Sequence, residues 1–325
     1  MKVIIPAAGL GSRLRPHTYT VPKVLLPVAG KPILGHIIDQ VIGWGGKKVI
    51  LIVGWLGEKI EEYVRESYDI DVEFRRQEEM LGLGHAILIG LDPGDKELLV
   101  ILGDTIFNAD LAPVIAKGVT SIGVKEIPDP RKKGVVVLEN GRVTRLIEKP
   151  SFPPSNLAIV GVYYIRDGAL LGKAIREIMD KGITVKGEFQ ITDALQLLID
   201  WGEPFETFPT PGWYDCGRPD TLLETNRYLF DQHKFKSSDY NTEQSAIIQP
   251  VAIGSNSRIV RSVVGPYVSI GVDSTIRDTV ISNSIIGDNV TIEKSTLTDT
   301  IIGNRVDVFG SYRMLNLGSS TQINL

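Results

Sequence analysis

The feature that most constrains the fold of this chain lies in its last quarter. Ile-Gly recurs at Ile253-Gly254, Ile270-Gly271, Ile286-Gly287 and Ile302-Gly303, at intervals of 17, 16 and 16 residues. A second rank, Ile259, Ile276, Ile292 and Val308, keeps the same intervals, and a third runs through Val264, Ile281 and Leu297. Three inward apolar residues per turn, five or six positions apart, make the chain coil as a triangle whose stacked turns bury a continuous apolar column. An immunoglobulin-like sandwich would not keep this period. The polar stretch Lys236 to Glu243 reads as a linker. The expected division is therefore 1–235, a linker at 236–244, and a coil at 245–325.

Before the linker, strands and helices alternate. Val3 to Ile5, Val49 to Val53, Val72 to Arg76, Leu98 to Leu102 and Ala158 to Ile165 read as strands. Between the first of them lie helical patterns, the clearest being Ile33, Leu34, Ile37, Ile38, Val41 and Ile42. Continuously apolar strands alternating with helices predict a mostly parallel, Rossmann-like sheet covered by helices. Ligands in such sheets bind at the carboxyl ends of the strands, where Gly9-Leu10-Gly11 and Gly103-Asp104 fall.

The first of these loops, Ala7-Ala8-Gly9-Leu10-Gly11-Ser12-Arg13-Leu14, follows a strand directly, and Pro22-Lys23 brings a second cation near it. Glycines allow close backbone approach, with amide N–H groups aimed at phosphate oxygens. A dinucleotide fingerprint needs a third glycine where Leu14 stands, and no Gly-Lys-Ser or Gly-Lys-Thr of a P-loop occurs. A triphosphate site fits what remains. Asp104, after a buried strand and a glycine, is placed to hold a divalent cation near a phosphate.

Composition narrows the class. The 325 residues are 43% hydrophobic and 23% charged with a net charge of −4, which gives no electrostatic reason to expect nucleic acid. A single cysteine, Cys216, excludes an internal disulfide and suits a reducing compartment. No apolar run approaches a membrane span, and the N-terminus is too short for a signal peptide. A cytoplasmic protein without membrane or nucleic-acid partners is expected.

Taken together, the motifs carry a resemblance. Gly9-x-Gly11-Ser12-Arg13-Leu14 with Pro22-Lys23, Glu148-Lys149-Pro150, the strand Ser155 to Tyr163, Gly187-Glu188-Phe189-Gln190-Ile191-Thr192-Asp193 and Trp213-Tyr214-Asp215-Cys216-Gly217 stand in one order. Together they resemble the sugar-1-phosphate nucleotidyltransferases, most closely the long-form glucose-1-phosphate thymidylyltransferases. The repeat is similar to a left-handed parallel β-helix of hexapeptide repeats. Many hexapeptide-repeat proteins are acyltransferases with a histidine base, but His17, His36, His85 and His233 all lie outside the repeat. A structural coil and a homo-oligomer are expected, with the tail Tyr312 to Leu325 covering the open coil end.

The resemblance implies roles residue by residue. Ala8, Gly9, Gly11 and Ser12 would line the triphosphate, Arg13 would neutralise its β- and γ-phosphates, and Lys23 would contact the reacting phosphates. Gln77, Gly82 and Leu83 would read and pack the base. Lys149 would grip the sugar phosphate, with Glu148, Gly134 and the Ile159-Val160 backbone at the sugar hydroxyls. Asp104 and Asp215 would hold Mg²⁺, and the small-molecule substrates would be a nucleoside triphosphate and a sugar 1-phosphate. Three departures bear on specificity. Ala7-Ala8 replaces the Gly-Gly usual in the thymidylyltransferases, Lys23-Val24-Leu25 replaces Lys-Gln-Leu, and Gln190 stands where an acid is usual. Uridylyl or guanylyl transfer, or a non-catalytic sensor of sugar nucleotides, remain open at this point.

Overall fold

The computed structural model describes residues 1–46, 48–232 and 239–311. Two compact units form: Met1–Leu26 with Lys31–Thr225, and Pro27–Gly30 with Asn226 onward. The strands of the first part are β1 (Lys2–Pro6), β2 (Pro27–Val28), β3 (Lys31–Pro32), β4 (Lys48–Val53), β5 (Val72–Arg76), β6 (Leu98–Ile101), β7 (Thr105–Asn108), β8 (Thr120–Glu126), β9 (Gly134–Glu139), β10 (Arg142–Glu148), β11 (Leu157–Ile165), β12 (Phe205–Pro209) and β13 (Gly212–Asp215). The helices are α1 (Ile33–Gly43), α2 (Gly57–Ser67), α3 (Leu83–Gly90), α4 (Ala112–Lys117), α5 (Gly168–Asp180), α6 (Ile191–Asp200) and α7 (Pro219–Gln232).

One large sheet runs β10-β9-β11-β6-β1-β4-β5, with β8 paired to β11 and β12 paired to β8. Its parallel block is β6-β1-β4-β5, with Val3 beside both Val49 and Leu99 and Leu51 beside Phe74. Strands β6, β1 and β4 are covered on both faces, which is why Ile4, Ile50, Ile52 and Val100 are wholly buried and these strands read as unbroken apolar runs, whereas the edge strand β5 is half-buried. The sheet turns antiparallel at β11, and the hairpin β9–β10 extends it. Asn140-Gly141 makes that hairpin possible: both residues have positive φ, 51° and 76°, as a two-residue primed turn requires. Helix α5, absent from the sequence expectation, packs Leu171, Ala174, Ile175 and Ile178 into the same core.

This topology gathers the functional loops. Because β1, β4, β5 and β6 are parallel, their carboxyl ends share one sheet edge and deliver Ala7-Ala8-Gly9, Gly54, Gln77 and Gly103-Asp104 to it. Gly134 pairs with Glu148 at the open end of the hairpin. Strand β13 pairs antiparallel with β7, setting Asp215 opposite Thr105, and the Cys216 amide donates to the Asp104 carbonyl at 3.0 Å. Two aspartates 111 positions apart thus meet at one place.

In the second unit, short strands stack in three parallel sheets in the manner of a left-handed β-helix. Ile253, Ile270, Ile286 and Ile302 stand in register, as do Ile259, Ile276, Ile292 and Val308, and Val264, Ile281 and Leu297. All three ranks line one apolar column. The corners lie in left-handed backbone, at Asn256, Asp273, Asn289 and Arg305 and again at Arg261, Asp278 and Lys294. Asn and Asp tolerate that conformation best among non-glycine residues. Buried hydroxyls close the turns: Ser257 donates to the Gly271 carbonyl and accepts from the Ser274 amide, and Ser274 repeats the pattern with Gly287 and Val290. The expected covering tail, Tyr312 to Leu325, and positions 236–238 of the expected linker lie outside the described residues; within the rest of that linker, Asn241–Glu243 is already a strand of the coil, paired with Arg258–Val260. No helix among the described residues is long and apolar enough to cross a membrane.

Candidate active site

Two cavities adjoin at the carboxyl edge of the parallel block. The first, about 340 Å³, is lined by Ala7, Ala8, Gly9, Lys23, Val24, Gln77, Met80, Gly82, Leu83 and Asp104, among others. The second, about 200 Å³, is lined by Arg13, Gly134, Glu148, Lys149, Ile159, Val160, Thr192, Trp213 and Asp215, among others. Leu83, Leu102 and Asp104 belong to both, so Asp104 stands on the wall between them.

In the first cavity the Gln77 amide nitrogen donates to the Gly82 carbonyl at 3.1 Å and lies 3.2 Å from His85 Nδ1. That fixes the side chain and leaves its oxygen as an acceptor. Gly82 has φ +106°, and a Cβ there would meet the Phe189 carbonyl at 2.7 Å, so only glycine lets this loop close against Phe189. Gly9 is open to solvent, with nothing within 4 Å of a built Cβ. Gly11 and Ser12 line neither cavity. Gly11 is the left-handed residue before the turn Ser12–Leu14, and its carbonyl accepts from Thr18 Oγ1 at 2.8 Å.

In the second cavity Lys149 Nζ lies 2.8 Å from Glu148 Oε1, and Thr192 Oγ1 donates to Glu148 Oε2 at 2.8 Å. Lys149 itself has φ +45°, a conformation that costs a lysine on the order of 1–3 kcal/mol and here turns its backbone out of β10. Gly134 packs tightly: a Cβ there would lie 2.9 Å from Ile159 Cδ1 and 3.0 Å from Glu148 Oε2.

The charges are paired. Lys23 Nζ bonds Asp104, and Lys133 Nζ lies 2.6 Å from Asp215 Oδ2. Burial alone would raise the Asp215 carboxyl, but Lys133, followed by Lys23 and Arg13, holds it below the ordinary carboxylate range. Sequence reasoning placed most of these residues but missed Lys133, Thr192, Trp213 and Met80. The basic run Arg131-Lys132-Lys133 immediately before Gly134 was the available signal for the first.

Residues 2–232 match the nucleotidyl transferase family. This chain belongs to that family. Over 316 residues, 88% of its own length and 87% of the relative's, this nucleotidyltransferase is 32% identical to the low-salt glycan biosynthesis nucleotidyltransferase Agl11 of Haloferax volcanii. It is also 32% identical to a glucose-1-phosphate thymidylyltransferase of Streptomyces griseus, over 88% of this chain and 87% of that one. Among solved structures it is similar to a UDP-glucose pyrophosphorylase complexed with UDP-glucose, with a TM-score of 0.61, 25% identity, and coverage of 71% of this chain and 99% of that one.

Enzymes of this family generally work with a divalent metal. The residues present fit one. Asp104 and Asp215 offer only carboxylate oxygens, the donors a hard cation prefers. Among the described residues no group of three or more His, Cys, Asp or Glu side chains could hold a metal. Two carboxylates alone leave most of a six-coordinate shell to water and substrate phosphates, which is how Mg²⁺ is commonly held.

Proposed function

We propose that this nucleotidyltransferase transfers a nucleoside monophosphate from dTTP to glucose 1-phosphate, giving dTDP-glucose and pyrophosphate with Mg²⁺. The observation that carries this reading is the pair of adjoining cavities with Asp104 on their common wall. One cavity suits a base and its phosphates, the other a phosphorylated sugar, and their junction is where two phosphates must meet.

A phosphate oxygen of the sugar 1-phosphate attacks the α-phosphorus, and pyrophosphate leaves. The attacking oxygen is already anionic, so no general base is required. The protein's work is to align two polyanions and neutralise developing charge. Gly9 and the amides around it take the triphosphate, with Lys23 at the reacting phosphates and Arg13, on the wall of the second cavity, reaching the outer ones. Lys149 holds the sugar phosphate, and Glu148, fixed by Thr192, accepts from the sugar hydroxyls. The Gln77 oxygen accepts the imide N–H of a pyrimidine base, and Leu83 packs on its face. Asp104 and Asp215 would hold Mg²⁺, which would supply charge neutralisation for the reacting phosphates.

A uridylyltransferase is the second reading, favoured by a specific observation. Ala7, Ala8 and Val24, which depart from the thymidylyltransferase pattern, all line the first cavity, and Gln190 lines the second. Pyrophosphate release measured for dTTP, UTP, GTP and ATP against glucose, mannose and N-acetylglucosamine 1-phosphates separates the readings. Preference for dTTP with glucose 1-phosphate supports the first, whereas preference for GTP with mannose 1-phosphate overturns both. We assign 1–235 to catalysis and 245–325 to a structural coil that makes an oligomer contact in the cytoplasm. Sedimentation of the whole protein tests that contact, and a monomer at micromolar concentration would refute it.

A further inference from the structure

Lys133 has no role in the reading above, yet it stands where one is needed. Its Nζ lies 2.6 Å from Asp215 Oδ2 and 4.7 Å from the centre of the Trp213 ring, and its side chain, 29% exposed, lines the second cavity. Its backbone is locked: the Lys133 amide donates to Pro130 at 2.9 Å, and its carbonyl accepts from the Lys149 amide at 3.1 Å. Lys133 and Lys149 therefore rise from adjacent backbone positions at the open end of one hairpin. The two ammonium groups hold different carboxylates, Asp215 and Glu148. Arg13 also reaches this corner, since a Cβ on Gly217 would lie 2.6 Å from Asp215 Oδ1 and 2.8 Å from an Arg13 guanidinium nitrogen.

We propose that Lys133 is a further catalytic cation, one that holds Asp215 in the substrate-free protein and passes to the phosphate of the sugar 1-phosphate when Asp215 is engaged by the metal. The inference rests on the assignment of Asp215 as a metal ligand. An ammonium bonded to one oxygen of a carboxylate repels a second cation at that carboxylate, so Lys133 competes with the metal for Asp215. Once displaced, an ammonium on a four-carbon stem retains its charge and needs an anion. The nearest one the reaction brings is the sugar phosphate beside Lys149. The Trp213 ring, 4.7 Å from Lys133 Nζ, favours a cation beside it. Lys133 thereby makes metal loading of the substrate-free enzyme unfavourable and sugar-phosphate binding dependent on the loaded state.

Two measurements on the purified full-length enzyme test this. Mn²⁺ is titrated into substrate-free protein, free metal being read by electron paramagnetic resonance, for the parent, Lys133→Met and Asp215→Asn. Steady-state kinetics are measured for the parent, Lys133→Met, Lys133→Arg and Asp215→Asn. Lys133→Met is expected to bind Mn²⁺ about tenfold or more tightly, and to raise KM for the sugar 1-phosphate about ten- to a hundredfold, the usual range for a lost charged hydrogen bond. KM for the nucleotide should stay within about threefold, and Lys133→Arg should recover most of the sugar-phosphate KM. An unchanged sugar-phosphate KM in Lys133→Met overturns the proposal even if Mn²⁺ binds more tightly, because freeing Asp215 alone would give that. If Asp215→Asn turns over like the parent, the metal assignment itself fails and the Lys133 proposal falls with it. A silent Lys133→Met in an enzyme that Asp215→Asn disables sinks the Lys133 proposal alone.

Discussion

At φ +45° and with its ammonium on Glu148, Lys149 combines backbone strain with a charge placed for substrate. The two can be separated by substitution. Lys149→Ala and Lys149→Gly should each lower kcat about 10²–10³-fold, as removal of one transition-state donor does elsewhere. Glycine adopts positive φ freely, so Lys149→Gly should melt no lower than the parent. Retained turnover in either variant would refute the sugar-phosphate role. Nearby Asp193 offers a test by pH. Burial and then the Glu148 carboxylate raise its carboxyl above the ordinary value, and its Oδ2 has no hydrogen-bond partner among the described residues. A carboxyl with a raised folded-state pKa stabilises fully below its unfolded value, and that contribution is lost as the pH rises through the folded one. At neutral pH the ionised group is therefore a cost. Asp193→Asn should melt above the parent at about pH 7, with the gap closing towards about pH 4; a constant gap would dismiss the idea. Gly9 and Asp104 could be placed at the cavities from their positions after buried strands, whereas Gly11 and Ser12 of the same first loop line neither cavity. Lys133 and Thr192 were harder to read, since what defines them is which carboxylate they face across the fold.

Elements were legible where one local pattern dominated. Unbroken apolar runs identified β1, β4 and β6, and the apolar stripe Ile33 to Ile42 lies within α1. Helix α5 and strands β7 and β8 were not read. For α5 the signal existed: Asp167 caps it, accepting from the Leu170 amide at 2.8 Å, and Leu171, Ala174, Ile175 and Ile178 form its buried stripe. Two glycines, Gly168 and Gly172, weaken its helical propensity, and packing overrides them. Gly168 is there for space, because a Cβ would meet Leu98 Cδ2 at 2.7 Å. Asp167→Ala should cost about 1 kcal/mol in denaturant unfolding, the usual effect of losing such a cap. Ile175→Ala should cost about 2–5 kcal/mol through the cavity it leaves. Strand β7 went unseen because its partner among the described residues is β13, some hundred residues later, and no local periodicity marks such a partner.

On the scale of the whole molecule, the repeat was the most legible part, since its period and its structure are the same fact. Each turn of the coil stacks on the turns beside it, so damage should propagate along it. Ile276→Asp would place an unpaired charge in the column, and it should unfold the second unit at lower denaturant while the first unit keeps its own transition. A single shared transition shifted as a whole would contradict this. The division into units was less plain. Pro27–Gly30 follows Lys23 by only a few residues yet belongs with the coil, where the Ala29 amide donates to Asn226 Oδ1 at 2.7 Å. Asn226, fully buried, also accepts from Ser269 Oγ at 2.7 Å and donates to the Tyr267 carbonyl at 3.1 Å. Gly30 approaches Ala252 so closely that a Cβ would lie 2.7 Å from its methyl. The coil is therefore not an exchangeable cassette. A chimera grafting a relative's C-terminal half onto this N-terminal half inherits four residues fitted to the wrong coil, in the segment that leads away from Lys23. Recombination within such a lineage would be tolerated only when both ends of the gene are exchanged together.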